Sequence, residues 1–236
     1  MAVARKICCQ IDRITAHGEH VFSIELLPDS SLPRFQPGQF LHLALDEYEP
    51  SGFWPDSRVF SIANSPSDRE RLLITYSVRG RFTARMEKEL EVGEHVWVKL
   101  PYGEFIIDET KDAVLFAGGT GITAFTAFID GLRPDYQHHV YLAYGARNHQ
   151  LLIYKEMVEK KCMDILNFHA LYFVEDVSRN ADEMNGRLSV AAVRQYFQDG
   201  CDGNYYVSGP PVMLKSISQD LILDGINPEN IKIDAW

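Results

Sequence analysis

The sequence predicts two folds in tandem: a six-stranded antiparallel β barrel over residues 1–108, then a parallel-sheet α/β domain over residues 109–236. Three observations predict this. The first hundred residues alternate apolar and polar positions in short runs punctuated by Gly and Pro. Near Asp108 the pattern changes to apolar strands separated by helix-length segments. A glycine-rich turn, Gly118-Gly-Thr-Gly121, joins the first of those strands to a helix.

In the first half, alternation marks strands at Val21–Leu26, Phe40–Leu45, Leu72–Val78 and His95–Leu100. Arg58 begins a further strand that runs to Asn64-Ser-Pro66. Pro37-Gly38, Pro50-Ser-Gly52, Gly93 and Pro101-Tyr-Gly103 supply the turns. Phe82, Met86 and Leu90 at four-residue spacing predict one helix over Phe82–Leu90. In the second half, strands are expected at Ala113–Ala117, His139–Ala143, Leu166–Phe173, Asn204–Val207 and Ile231–Ile233. Helices are expected at Ile122–Leu132, Leu151–Lys160, Leu188–Phe197 and Pro211–Leu223. No internal repeat or low-complexity segment interrupts either half.

Composition narrows the function classes. The 236 residues are 46% hydrophobic and 24% charged, as in soluble globular proteins, and no apolar run is long enough for a membrane span. The start, Met1-Ala-Val-Ala-Arg-Lys-Ile, does not read as a signal peptide. Net charge is −10, and acidic groups outnumber basic ones in both halves, 16 to 12 and 17 to 11. Nucleic acid is therefore not an expected partner. Cys8, Cys9, Cys162 and Cys201 lack zinc or iron–sulfur spacing, and the expectation is reduced thiols in a cytoplasmic protein with no cluster of its own. The eight histidines show no metal spacing, and no nucleophile elbow is present.

Three motifs carry the chemistry. Arg58-Val-Phe-Ser-Ile-Ala-Asn-Ser-Pro66 offers a guanidinium fork suited to phosphate at Arg58 and a hydroxyl at Ser61, with Val59 and Phe60 between them. On a regular strand Phe60 faces away from Ser61. Downstream, Val78-Arg-Gly-Arg-Phe-Thr83 enters a helix within a locally basic segment, so Arg81, Phe82 and Thr83 mark a helix N-terminus able to hold an anion. The turn of Gly118, Gly119, Thr120 and Gly121 lets backbone approach a diphosphate at the start of a helix. Tyr206-Val-Ser-Gly-Pro-Pro-Val-Met213 is a second strand-to-helix turn, with Ser208, Gly209 and Pro210 at its bend.

In this order the motifs resemble those of the ferredoxin–NADP reductase superfamily, over nearly the whole chain from about Arg5 to Trp236. Phe35-Gln-Pro-Gly-Gln-Phe40 looks like that family's barrel turn, and Tyr144-Gly-Ala-Arg147 like a turn beside its bound nucleotide. The resemblance implies a flavin-binding barrel and a nucleotide-binding domain. Arg58 would meet the flavin phosphate, Phe60 would lie along the ring and ribityl chain, and Ser61 would approach flavin N5. Phe60 stands where the family usually has tyrosine, which implies weaker flavin retention. Ser208 stands where the family usually has cysteine, beside nicotinamide C4. FAD is the expected flavin, with FMN possible.

Glu175 and Asp176 end a strand where the family selects its pyridine nucleotide. A carboxylate there suits the ribose hydroxyls of NADH, whereas Arg179 nearby would suit the 2′-phosphate of NADPH. Trp236 would stack on the flavin ring or cap an apolar sheet edge. Phe53-Trp54 is expected to pack in the barrel or its loop. The implied activity is transfer of electrons from NADH through bound FAD to a separate acceptor such as a ferredoxin, flavodoxin or oxygenase component. The alternatives are a free-flavin reductase and a non-catalytic flavin-binding regulatory subunit.

Overall fold

The computed structural model describes residues 3–177, 180–194, 196 and 203–234. Contacts divide the chain into two compact units, Met1–Ile106 and Ile107–Trp236.

The first unit is a six-stranded antiparallel sheet curled into a nearly closed barrel. Its strands are β1 (Arg5–Gly18), β2 (Val21–Pro28), β3 (Phe40–Ala44), β4 (Ser57–Ser61), β5 (Leu72–Ser77) and β6 (His95–Tyr102), in the spatial order β4-β3-β6-β1-β2-β5. The Ala63 amide donates to the Leu73 carbonyl at 2.8 Å, drawing the end of β4 toward β5 at the seam. Alternation does its expected work: Ile24, Leu26, Leu41, Leu43, Val96 and Val98 are buried in one core. Helix α1 (Arg81–Glu89) drives Phe82 and Met86 into that core. The strand bearing Arg58 stops at Ser61 rather than at Pro66. Beyond it, Asn64 accepts the Leu73 amide and donates to the Arg71 carbonyl, so these residues form a side-chain clamp on β5.

The Pro37-Gly38 turn shows why glycine is needed. Gly38 has φ +90°, and a Cβ there would lie 2.0 Å from the Phe105 carbonyl oxygen. Gln39 extends the same contact by donating to the Gly103 carbonyl at 3.1 Å.

The second unit is a six-stranded parallel sheet. Its strands are β7 (Ala113–Gly118), β8 (Val140–Ala146), β9 (Phe168–Val174), β10 (Glu183–Asn185), β11 (Asn204–Ser208) and β12 (Ile231–Asp234), in the order β10-β9-β8-β7-β11-β12. Every residue of β7 is buried, as a central parallel strand requires. The helices are α2 (Thr123–Gly131), α3 (Lys155–Asp164), α4 (Val190–Arg194) and α5 (Pro211–Leu223). Helix α3 starts four residues later than the sequence suggests. The Asn148 side chain accepts the Leu151 amide and closes a separate 3-10 turn over His149–Leu151 first. The expected helix at Leu188–Phe197 is described from Val190 to Arg194, and its later residues lie largely outside the described ones.

Candidate functional site

The winding of the second sheet reverses between β7 and β11. From β7 the chain moves outward through β8 and β9, then returns to place β11 on the other side of β7. Ligands of open α/β sheets bind at such a reversal, beyond the carboxyl ends of the strands. Both glycine-rich turns lie there and are packed together. A Cβ on Gly121 would fall 2.5 Å from the Ser208 carbonyl oxygen and 2.7 Å from Gly209 Cα. A Cβ on Gly118 would fall 2.4 Å from Met213 Sδ and 2.9 Å from Pro210 Cδ. Gly119 differs: its φ is +54°, and nothing lies within 4 Å of where a Cβ would stand. The turn is thus closed on the β11 side and open at Gly119. Gly119–Ile122 form a 3-10 turn that runs into α2, and the Thr123 hydroxyl donates to the Thr120 carbonyl at 2.8 Å. An open glycine beside helix-start amides fits a diphosphate.

Ser208 is buried, and its hydroxyl donates to Asp234 Oδ2 at 2.8 Å. Asp234 is itself buried and pairs with Ser208 in the β11–β12 register. A hydroxyl that donates to a carboxylate keeps only acceptor capacity toward anything else. Asp234 is a residue the motifs did not mark. Its only sequence signal is its place at the end of the final strand, Ile231-Lys-Ile-Asp234, level with the Ser208 turn. Trp236 and Arg179 lie outside the described residues.

At the carboxyl ends of β8 and β9, the Arg147 carbonyl accepts the Asp176 amide at 2.9 Å, which joins the two strand ends. Glu175 is not free to serve only as a ribose acceptor. Its Oε2 lies 3.0 Å from Nε of Arg187, a residue that sequence spacing did not single out. Arg187 follows β10, and its side chain is 81% exposed, so the guanidinium can meet both Glu175 and an incoming anion.

On the barrel, register assigns the faces of β4. Arg58 lies opposite Leu43 and Phe60 opposite Leu41, while Val59 and Ser61 lie opposite His42 and Phe40. Phe60 therefore points away from Ser61, as the alternation expects. It packs on the barrel core with its ring centroid 6.0 Å from that of Tyr76. The Arg58 guanidinium carbon sits 5.3 Å from the ring centroid of Phe82, in the first turn of α1. A guanidinium and the start of a helix thus converge, which fits a flavin phosphate. Arg58 also bonds Asp56 at 3.0 Å and the Ser57 carbonyl at 2.7 Å, so a phosphate must compete with Asp56. The Thr83 hydroxyl is engaged at the helix start. It accepts the Arg79 and Gly80 amides at 2.9 and 3.2 Å and donates to the Gly80 carbonyl. The first-turn amides of Arg81, Phe82 and Thr83, which have no intrahelical acceptor, are better placed to meet an anion.

The Phe53-Trp54 expectation splits. Trp54 packs against Tyr48 with ring centroids 5.4 Å apart, whereas Phe53 is fully exposed. Burial holds the thiols of Cys8, Cys9 and Cys162 above the ordinary thiol range, which lowers their thiolate fraction. Among the described residues no cluster of His, Cys, Asp and Glu is arranged for a metal ion, and no helix is long and apolar enough to cross a membrane.

Residues 115–219 match the family model of the oxidoreductase NAD-binding domain. The chain is 30% identical over 212 residues to the phenol hydroxylase P5 protein of Acinetobacter pittii, covering 86% of this chain and 58% of that protein. It is 26% identical over 213 residues to an NAD(P)H-flavin reductase of Vibrio harveyi, covering 86% of each. The fold is similar to that of the cytochrome P450 reductase GcoB of Amycolatopsis, with a TM-score of 0.85 at 19% identity over 99% of this chain and 70% of that one. The chain spans about three-fifths of the length of the first curated relatives it matches. With its barrel, its parallel sheet and the two interlocked turns at the sheet reversal, the chain has the ferredoxin–NADP reductase-like fold, and most of its second unit matches the oxidoreductase NAD-binding domain.

Proposed function

We propose that the chain is a cytoplasmic NAD(P)H-dependent flavoprotein reductase that binds FAD on the barrel unit and NADH on the parallel-sheet unit. Its electrons pass to a separate acceptor, a ferredoxin, flavodoxin or oxygenase component. The observation that carries this reading is the pair of turns at the β7–β11 reversal, packed on each other yet open at Gly119. The resemblance to a phenol hydroxylase component supports the acceptor class. FMN in place of FAD is compatible with the same residues.

Arg58 and the first turn of α1 hold the flavin phosphate, with Val59 and Ser61 offering an apolar wall and a hydroxyl on one strand face, while Phe60, packed on the barrel core, backs the strand from the other. Gly118 to Gly121 and the start of α2 hold the nucleotide diphosphate. Arg147, Glu175 and Asp176 border the adenosine ribose, with Arg187 able to recruit a 2′-phosphate. Ser208, fixed by Asp234, and Gly209-Pro210 position the nicotinamide ring. Alignment of donor and acceptor is the protein's contribution to such a transfer. Bound FAD supplies the capacity to take two electrons as hydride and to release them singly or in pairs.

Flavin titration and anaerobic bleaching by NADH test the reading together. Arg58→Ala is expected to weaken flavin binding about tenfold or more, as loss of a charge-assisted phosphate contact should. Equal affinity in the variant would remove Arg58 from the site, and no bleaching in the parent would remove the reductase reading. A second reading, NADH-driven reduction of free flavin, draws on the relative of matching length, a flavin reductase. Fast turnover with free flavin, unimproved by any protein acceptor, selects it.

A further inference from the structure

Phe53 is 100% exposed, yet the loop that carries it is tied down. Tyr48, five residues earlier, is buried and packs its ring on Trp97 and Trp54 at 5.5 and 5.4 Å. The Tyr48 hydroxyl accepts a hydrogen bond from Lys6, and the Trp54 indole donates to Ser57 Oγ at 3.0 Å. The Gly52 amide bonds the Glu49 carbonyl at 2.8 Å and closes a turn next to Phe53. The loop therefore holds an aromatic ring in water from a fixed base. Leaving a phenylalanine unburied forgoes roughly 1.5–3 kcal/mol.

Charge defines what would cover it. Residues 45–56 contain Asp46, Glu47, Glu49 and Asp56 and no Lys, Arg or His. Asp46 is held by Arg85 and Asp56 by Arg58. Glu47 and Glu49 are exposed, and among the described residues neither is in an ion pair. An acidic rim opposes an anionic lipid surface and nucleic acid. It also opposes a second copy of this chain, whose net charge is −10. The loop runs directly into β4, the strand of Arg58 and Ser61.

We propose that the loop over residues 45–56 is the docking surface for the protein electron acceptor, and that among the acceptor classes named above it selects an oxygenase component, one presenting an apolar pocket ringed by basic side chains, over an acidic ferredoxin or flavodoxin, which the rim would repel. Phe53 enters the pocket as the anchor, and Glu47 and Glu49 pair with the rim and steer encounter. This inference rests on the reductase reading above.

Porphyrin cytochrome c, a fluorescent, metal-free basic protein, reports binding without turnover, and an acidic plant-type ferredoxin serves as the opposite charge probe. At about 20 mM salt the parent should bind the cytochrome and not the ferredoxin, and affinity should fall steeply as salt screens the rim. Phe53→Ala, at a fully exposed position, should weaken binding tenfold or more, as loss of an anchor does. Glu47→Lys with Glu49→Lys should abolish cytochrome binding. NADH-driven ferricyanide reduction should be unchanged in both variants. No cytochrome binding by the parent, equal affinity in Phe53→Ala, or preference for the ferredoxin would overturn the docking surface while leaving the reductase reading intact. Absence of NADH oxidation in the parent would instead remove the reading beneath it.

Discussion

Gly119 and Gly121 sit two residues apart in one turn, and their substitution by alanine should separate stability from nucleotide binding. At Gly121 the new methyl carbon would lie 2.5, 2.6 and 2.7 Å from three backbone atoms of Ser208 and Gly209. Carbon atoms in contact prefer about 3.5–4.0 Å, so the backbone of the second turn must move by about an ångström. Overpacking of that kind costs about 3 kcal/mol, at the upper end of the usual range. With a urea m-value of about 2 kcal/mol/M, the unfolding midpoint should fall by about 1.5 M. At Gly119 no atom lies within 4 Å of the methyl, and the only penalty is the left-handed backbone at φ +54°. That costs about 1 kcal/mol, a midpoint shift of roughly 0.5 M. Yet this methyl would occupy the open side of the turn, where backbone must approach a diphosphate, so NADH affinity should drop at least about tenfold. Urea unfolding by circular dichroism and titration with NADH measure both quantities. If Gly119→Ala binds NADH as the parent does, the open side of the turn is not the diphosphate side. If Gly121→Ala leaves the midpoint unmoved, the two turns are not mechanically joined.

Ser208→Ala should slow anaerobic flavin reduction by NADH about ten- to a thousandfold with flavin binding nearly unchanged, and Asp234→Asn should slow it less, because an amide oxygen still accepts the serine proton; stopped-flow rates at saturating NADH decide, and an unchanged rate in Ser208→Ala reduces that residue to a turn former. Arg187→Ala frees the Glu175 carboxylate and should raise the NADH-to-NADPH ratio of kcat/KM about tenfold, whereas Glu175→Gln should lower it; equal ratios in both variants would detach the pair from nucleotide choice. Lys155 donates to Glu183 Oε1 at 2.7 Å and also pairs with Asp182, while the Glu183 side chain is wholly buried. Lys155→Met should cost about 3 kcal/mol, because a buried carboxylate loses its cation. Burial opposes the Lys155 charge, but the bonds to Asp182 and Glu183 outweigh it and raise the ammonium above its ordinary value near 10.5. That stabilisation is whole below pH 10.5 and fades as pH rises through the raised value. A parent-to-variant difference in urea midpoint that does not shrink there would contradict the pairing.

Local chemistry in the sequence reaches some features and not others. Helix α5 is found over Pro211–Leu223 because proline opens it and apolar spacing continues it. β1 escapes notice although Ile7, Cys9 and Ile11 alternate inward. The adjacent Cys8 and Cys9 draw attention as thiols, while the strand period places one inside and one outside. β10 has three residues, Glu183-Met-Asn185, and no apolar alternation. It pairs in parallel with β9, and Lys155, His149 and Asn180 gather around its Glu183. The candidate site divides the same way. Glycine turns and Arg58 are visible because backbone geometry and phosphate chemistry demand those residue types. Asp234 behind Ser208 and Arg187 beside Glu175 are pairings across sequence distance, and no local pattern announces them.

The position of β1 has a consequence for how the barrel is made. Lys6 pairs with Lys99 and Arg5 with Leu100, so the earliest strand of the barrel to be made is partnered on one side by the last strand of that barrel. Its other neighbour, β2, is available at once through a short hairpin. The early chain thus carries a β1–β2 ribbon, extended by β5 once residues 72–77 emerge, whose β1 edge stays open until residues 95–102 follow, and such open ribbons are prone to wrong pairings. Non-local closure of this kind sets the pace of folding more than stability does. Substitutions in His95–Tyr102 should therefore appear first as poor yield of folded protein during synthesis, even where the finished barrel tolerates them.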